Sequence, residues 1–240
     1  MYQDFSSNTD DAIQRIINEN NRTTSSLLHE LGNHLSLIKG TLQYIEIKYP
    51  QSREYKYWSQ LFELIQDMEN MMTDASLLNK NSTLNINKAN LLQIIKGIVD
   101  NYMPQANNEQ KLLSIKASSD CESALSSYPC DSDKIKHAMS NLIKNALEAT
   151  SPGDFIEIML DLTSKDTDTM LSIQIRNNGL PIPEDDIESI FLPFVTRKKG
   201  GSGIGLPLVK RIIEGHHGSI QVSSCEALTT FTVLLPLPKN

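Results

Sequence analysis

Two asparagines one helical turn apart, Asn141 and Asn145, stand in the run Asn-Leu-Ile-Lys-Asn-Ala-Leu-Glu-Ala-Thr. Asparagine is a mediocre helix former, so a pair on one helix face calls for a cap, a partner or a ligand. Side-chain amide oxygens are neutral, hard ligands that suit magnesium. Farther on, Phe-Val-Thr-Arg-Lys-Lys-Gly-Gly-Ser-Gly-Ile-Gly-Leu spans Phe194 to Leu206. A glycine run lets backbone amides approach phosphates that such an ion bridges, and it leads here straight into a helix whose positive end would face an anion. The run lacks the Gly-Lys-Ser/Thr ending of a P-loop, and Gly201-x-Gly203-x-Gly205 is not the dinucleotide-binding spacing. Lys144 either approaches phosphate or is solvated. Together these residues predict a nucleotide pocket.

A second constellation lies at Leu-Leu-His-Glu-Leu-Gly-Asn-His-Leu, Leu27 to Leu35. Leu28, Leu31, Leu35, Ile38, Leu42 and Ile45 alternate by threes and fours, the seam of a helix in a bundle. With Leu28 and Leu31 pointing inward, His29, Glu30 and Asn33 fall on the outward side. Glu30 can hold one ring nitrogen of His29 and leave the other as a nucleophile, and Asn33 can set a water against a modified ring. A zinc protease needs a second histidine four positions after the first; position 33 is asparagine and His34 is one residue late.

The elements that must position these groups differ in period. After Tyr49-Pro50 interrupts the first helix, Trp58, Leu61, Ile65, Met68, Met72 and Ala75 repeat the seam on a second. Two helices leave much of that seam in water, so a homodimer completing a four-helix bundle is expected. Residues 1–26 read as an N-terminal arm or entering helix, 27–79 as the hairpin, the polar 80–90 as a linker, and 91–240 as a second domain. In that domain helices are predicted over Asn90–Tyr102, Ser132–Thr150 and Leu206–His216. Strands are predicted over Leu112–Ala117, Phe155–Leu162, Met170–Arg176, Ser219–Ser223 and Thr229–Pro236. The fold class is therefore α + (α+β): a hairpin, then an α/β sandwich with a mixed sheet.

Composition narrows the functions. The 240 residues are 39% hydrophobic and 21% charged, ordinary for a globular protein. A net charge of -7 offers no basic stripe for a nucleic acid. Cys121, Cys130 and Cys225 have no metal-ligand spacing and read as free thiols in a reducing, cytoplasmic setting. No stretch has the roughly 18 apolar residues of a membrane span, and the N-terminus has no signal-peptide core.

In their order and spacing, the histidine box, the asparagine box, Phe191 to Lys198 and the glycine box resemble the kinase core of a two-component sensor histidine kinase. The resemblance covers approximately Leu27 to Pro236. It implies a dimerisation and phosphotransfer hairpin followed by a GHKL-type ATP-binding domain. It gives His29, Glu30 and Asn33 the roles of phosphoacceptor, base and phosphatase residue. It makes Asn145 the principal Mg2+ ligand, with Asn141 beside it near the phosphates of ATP. Gly201, Gly203, Gly205 and Leu206 become the glycine box, and a mobile lid carries Arg197, Lys198 and Lys199 as cations for the terminal phosphates. One box departs from the pattern. Where the family reads Asp-x-Gly-x-Gly, this chain has Asn177, Gly179 and Pro181. The family's aspartate accepts from the adenine amino group, and Asn177 can still accept through its amide oxygen. The implied function is ATP-dependent phosphorylation of His29 and transfer to an aspartate of a response regulator receiver domain, with input from a separate sensor protein. The alternative is a dimeric adaptor, or a phosphotransferase or phosphatase, with a degenerate ATP domain.

Overall fold

The computed structural model describes residues 4–79, 83–165, 168–198, 201–226 and 228–238, with the backbone alone for 4–18, 20, 21 and 165. The chain divides into two compact units, Met1–Ser82 and Thr83–Asn240. Among the described residues no helix is long and apolar enough to cross a membrane.

The first unit is a helical hairpin. Helix α1 (Asp4–Lys48) takes in residues 4–26 without a break. Its polar residues do not interrupt it because hydroxyls bond back onto the preceding turn: Thr23 Oγ1 donates to the Glu19 carbonyl at 3.0 Å, and Thr41 Oγ1 to Leu37 at 2.8 Å. Pro50 ends it and opens a 3-10 turn, Pro50–Glu54, ahead of α2 (Trp58–Asn79). Leu35 and Ile65 are the buried apolar residues between the helices. The Lys39 ammonium meets Glu69 across the pair at 2.7 Å. The seam is narrower than its periodicity suggests. Leu31, expected to point inward, is 53% exposed and Ile38 50%; Leu61 and Met68 are exposed too. One neighbouring helix covers one strip of a cylinder, and the adjoining strip stays uncovered in this chain.

The second unit is a mixed five-stranded sheet covered by helices. Strands β2 (Leu112–Ala117), β4 (Phe155–Lys165), β5 (Asp168–Asn177), β6 (Ser219–Cys225) and β7 (Leu228–Pro236) lie in the order β2-β4-β5-β7-β6. The β2-β4 pair is parallel and the rest are antiparallel. Alternation puts every second residue on one face. Register then builds apolar rungs across the sheet: Ala117, Leu160, Ile173, Val233 and Ile220 form one, and Ile115, Ile158, Ile175, Phe231 and Val222 the next. The following rung on the same face is Leu113, Ile156, Asn177, Thr229 and Ser224, so the ladder turns polar at the end of β5.

Helices α3 (Leu91–Asn108), α5 (Ser132–Ala149) and α6 (Gly205–Gly215) pack side by side, with α5 against β4 and β5. The buried stripe of α5 is Ile135, Ala138, Met139, Leu142, Ile143, Ala146 and Leu147. Helix α3 outruns the expected end at Tyr102 and passes through Pro104. The fully buried Ala106 anchors its last turn, and Pro104 is exposed, so packing outweighs the lost hydrogen bond. Three short elements carry no periodic signal: β1 (Asn87–Ala89), its antiparallel partner β3 (Tyr128–Cys130), and α4 (Ser119–Leu125). Residues 83–90, expected as linker, thus include a paired strand of the second unit.

A polar knot holds the start of α5. Asp131 caps the helix, accepting from Lys134 N at 3.1 Å and, through its other oxygen, from Asn85 N at 3.0 Å. Burial would raise its carboxyl pKa, but these backbone donors and the Lys134 charge outweigh burial and hold it below the usual value. Its own N–H donates to Nε2 of buried His216 at 3.0 Å, while His216 Nδ1 donates to the Ile212 carbonyl at 2.8 Å. The knot requires a neutral ring. At the other end of α5, Gly179 passes so close that a Cβ there would stand 2.1 Å from the Ala149 oxygen. Leu180 N donates to that oxygen at 2.8 Å.

Two outcomes follow. Gly179→Ala is expected to destabilise the second unit by about 2 kcal/mol or more, because backbone must move, and urea unfolding will read it as a lower midpoint. Burial holds the His216 pKa below its ordinary 6.5. The unfolded chain therefore binds the extra proton first, and the ring's contribution is present above about pH 6.5 and lost as pH falls through the folded value. Unfolding of wild type across pH 7 to 5 should show this loss, and His216→Asn should flatten it.

Candidate functional site

The histidine constellation sits on the exposed side of α1: His29, Glu30 and Asn33 are all exposed. Asn33 Nδ2 lies 3.3 Å from His29 Nδ1, as a residue one turn away on the same face should. The side chain touching the ring is thus Asn33 rather than the Glu30 expected to hold it, since successive helical residues diverge. The contact occupies Nδ1 and leaves Nε2 outward. As the atoms stand, Nδ2 donates to Nδ1; a lone pair on Nε2 requires the Asn33 carboxamide turned so that Oδ1 accepts Nδ1–H.

The nucleotide constellation is built where α5, the end of β5 and the start of α6 meet. Asn141 and Asn145 lie half-buried beside the apolar stripe of α5, and Lys144 is exposed. The Lys198 ammonium reaches Asn145 Oδ1 at 2.9 Å and also pairs with Glu148. Lys144 approaches the same carboxylate at 3.9 Å. Glu148 escaped the sequence reading, although it follows Asn145 by three residues and Lys144 by four and so had to share their face. Asn141 faces Gly205 at the start of α6: a Cβ at 205 would stand 3.0 Å from its Oδ1. Leu206, next along, is half-buried.

The glycine box has its own requirements. Gly203 has φ +64, in the left-handed region, and a Cβ there would meet the Phe194 carbonyl carbon at 2.6 Å. Its oxygen accepts from Phe194 N at 2.9 Å, so the turn closes on the phenylalanine run. Phe194 itself has φ +65 and is 76% exposed. At Gly201 a Cβ would meet Thr196 Oγ1 at 2.7 Å. Arg197 is not directed at the asparagines but forks onto Asp186, at 2.6 and 2.8 Å. Lys199 and Gly200 lie outside the described residues. Asn177 is 2% exposed, and its Nδ2 is buried without a hydrogen-bond partner. An apolar cleft lined by Leu84, Ile86, Tyr128, Pro129 and Leu237 shares no residue with this site.

The residues fit a hard cation brought with phosphates. Asn145 Oδ1 already holds one positive charge, that of Lys198. Among the described residues no cluster of three or more His, Cys, Asp or Glu could hold a metal alone, so an ion here would take its other ligands from phosphate and water.

Comparison with known proteins agrees with this geometry. Residues 130–239 match the family described as histidine kinase-, DNA gyrase B-, and HSP90-like ATPase. Sporulation kinase E of Bacillus subtilis (strain 168) is 27% identical over 218 residues, covering 90% of this chain and 28% of that protein. Sensor histidine kinase ZraS of Escherichia coli (strain K12) is 29% identical over 215 residues, 89% of this chain and 44% of that protein. Sporulation kinase D of Bacillus subtilis (strain 168) is 31% identical, with 89% and 41% covered. The chain thus spans less than half the length of each. The catalytic domain of histidine kinase ThkA superposes with a TM-score of 0.56 at 27% identity, over 64% of this chain and 96% of that one. Full-length ShkA, in complex with AMPPNP, gives 0.77 at 18% identity over 91% of this chain and 46% of that one, a likeness of fold. Residues 130–239 are accordingly a domain of the histidine kinase-, DNA gyrase B-, and HSP90-like ATPase type, and over about nine tenths of its length the chain is similar to sensor histidine kinases.

Proposed function

We propose that the chain is the core of an ATP-dependent protein-histidine kinase that phosphorylates His29 and passes the phosphoryl group to an aspartate of a response regulator receiver domain. The observation that carries this is the positive charge already seated on Asn145 Oδ1, beside a glycine turn that accepts no side chain. The kinase names of the matched relatives favour it over a degenerate adaptor.

In this reading Nε2 of His29 attacks the terminal phosphorus in line. The N–P bond forms as the bond to the bridging oxygen breaks, and ADP departs. Asn33 holds the ring through Nδ1, and Glu30 is the adjacent carboxylate that takes the released proton. Asn145, with Asn141 beside it, would hold Mg2+, whose charge neutralises the phosphates. Lys198 leaves Asn145 for the terminal phosphate, and Gly201, Gly203 and Gly205 supply approachable amides. After transfer, Asn33 positions water for dephosphorylation of the regulator. The uncovered strip with Leu31, Ile38, Leu61 and Met68 is the face on which a second copy completes a four-helix bundle. The assembly works in the cytoplasm and takes its signal from a separate sensor.

With ATP labelled on its terminal phosphate, wild type should incorporate label. His29→Gln should lose it while keeping ATP binding, and Asn145→Ala should lose both. Asn33→Ala, which removes the contact that holds the His29 ring, should slow labelling and also slow regulator dephosphorylation by at least about tenfold. Undiminished labelling of His29→Gln would overturn the assignment.

A further inference from the structure

We propose that Glu148 sets how much magnesium nucleotide the site needs, by holding Lys198 on Asn145 Oδ1 until a phosphate draws the lysine away. This rests on the kinase reading above, in which Asn145 takes Mg2+ and Lys198 the terminal phosphate. Lys198 is aimed by its own backbone. Its N–H donates to Thr196 Oγ1 at 3.1 Å, and its carbonyl accepts from Gly201 N at 3.0 Å. A Cβ at Gly201 would stand 3.1 Å from the Lys198 Cβ, so the turn closes tightly behind the lysine. Arg197, next to it, is fastened to Asp186 and does not compete for α5. From this turn the ammonium crosses to α5, where it donates to Asn145 Oδ1 at 2.9 Å and to the Glu148 carboxylate. Asn145 and Glu148 share one helix face, so a single ammonium reaches both.

The two acceptors differ in strength. A carboxylate holds an ammonium by charge as well as by hydrogen bond, whereas an amide oxygen offers its dipole alone. Glu148 is therefore what keeps the lysine in place, and Asn145 Oδ1 is covered as a result. Two cations cannot share that oxygen, because like charges at hydrogen-bonding distance repel, so Lys198 must leave as Mg2+ arrives. A nucleotide phosphate is the competing anion that takes it. Lys144, 3.9 Å from Glu148 and on the same helix, keeps the carboxylate paired after the exchange. One pairing is thus swapped for another. The Lys198 and Glu148 side chains are 46% and 39% exposed, so solvent screens their attraction and the effect on affinity is a few-fold. Glu148 is a positioning residue that acts through Lys198: it keeps the metal-binding oxygen masked in the empty site and raises the nucleotide level at which the site fills.

The test is calorimetric titration of the full chain with magnesium ATP on wild type, Glu148→Gln, Lys198→Met and the double variant. Thermal unfolding checks that all four are folded. Glu148→Gln should lower the Kd about threefold and lower the Mg2+ concentration at which ATP binding is half-maximal. In the Lys198→Met background the same change should move the Kd by less than about 1.5-fold, because the residue through which Glu148 acts is gone. Weaker binding by Glu148→Gln, as a carboxylate that itself ligates Mg2+ would give, overturns the inference while the kinase reading stands. So does an unchanged Kd, or an equal gain without the lysine, which marks plain repulsion between carboxylate and phosphate. If magnesium ATP binds none of the four proteins, both fall together.

Discussion

The apolar stripe of α5, Ile135 to Leu147, pressed against β4 and β5 is the contact on which the nucleotide half depends. Its seven side chains are almost completely removed from water, and each is worth roughly 1.5–3 kcal/mol for the larger ones. That burial fixes the rotation of α5 about its axis. Asn141 and Asn145 then have no choice of direction: they flank the stripe, at the edge where α6 begins. A helix rotated by one residue would lose the stripe and the two amides together, so core and site are one constraint.

The site's ends are set by close approach rather than by side-chain reach. Gly179 lets the β5 loop lie on the last turn of α5, and Gly203 lets the glycine box close on Phe194. Both are places where an added methyl would strike backbone, which cannot rotate away. Between them the charges are arranged in pairs: Lys198 with Asn145 and Glu148, and Arg197 with Asp186. The asparagines are thus rigidly based, while Lys198, which faces them, sits on a long, exposed chain that can be redirected.

Much of this was legible in the sequence because it is periodic or because it is made of unusual residues in order. The hairpin seams, the long strands and α5 announce themselves by period; Asn145 and Gly203 stand out by type. What stayed hidden has physical causes. Three-residue strands such as β1 and β3 are too short to show alternation. Pro104 looked like a stop because local preference was weighed without the pull of buried Ala106. Leu31 looked buried because a heptad pattern marks which residues want cover, not how many neighbours one chain supplies. Glu148 could have been found from its spacing to Asn145. The Asp131–His216 knot could not, because its partners are 85 residues apart and their meeting depends on the packed sheet and helices.

The uncovered strip of the hairpin has a thermodynamic consequence. On the proposed reading that a second copy covers this strip, the hairpin gains the rest of its free energy from that binder, by mass action. Its melting temperature is therefore a function of the concentration of that binder, whereas the second unit, with its core closed by its own helices, melts at a temperature set within the chain. Dilution acts on the two halves of this protein unequally.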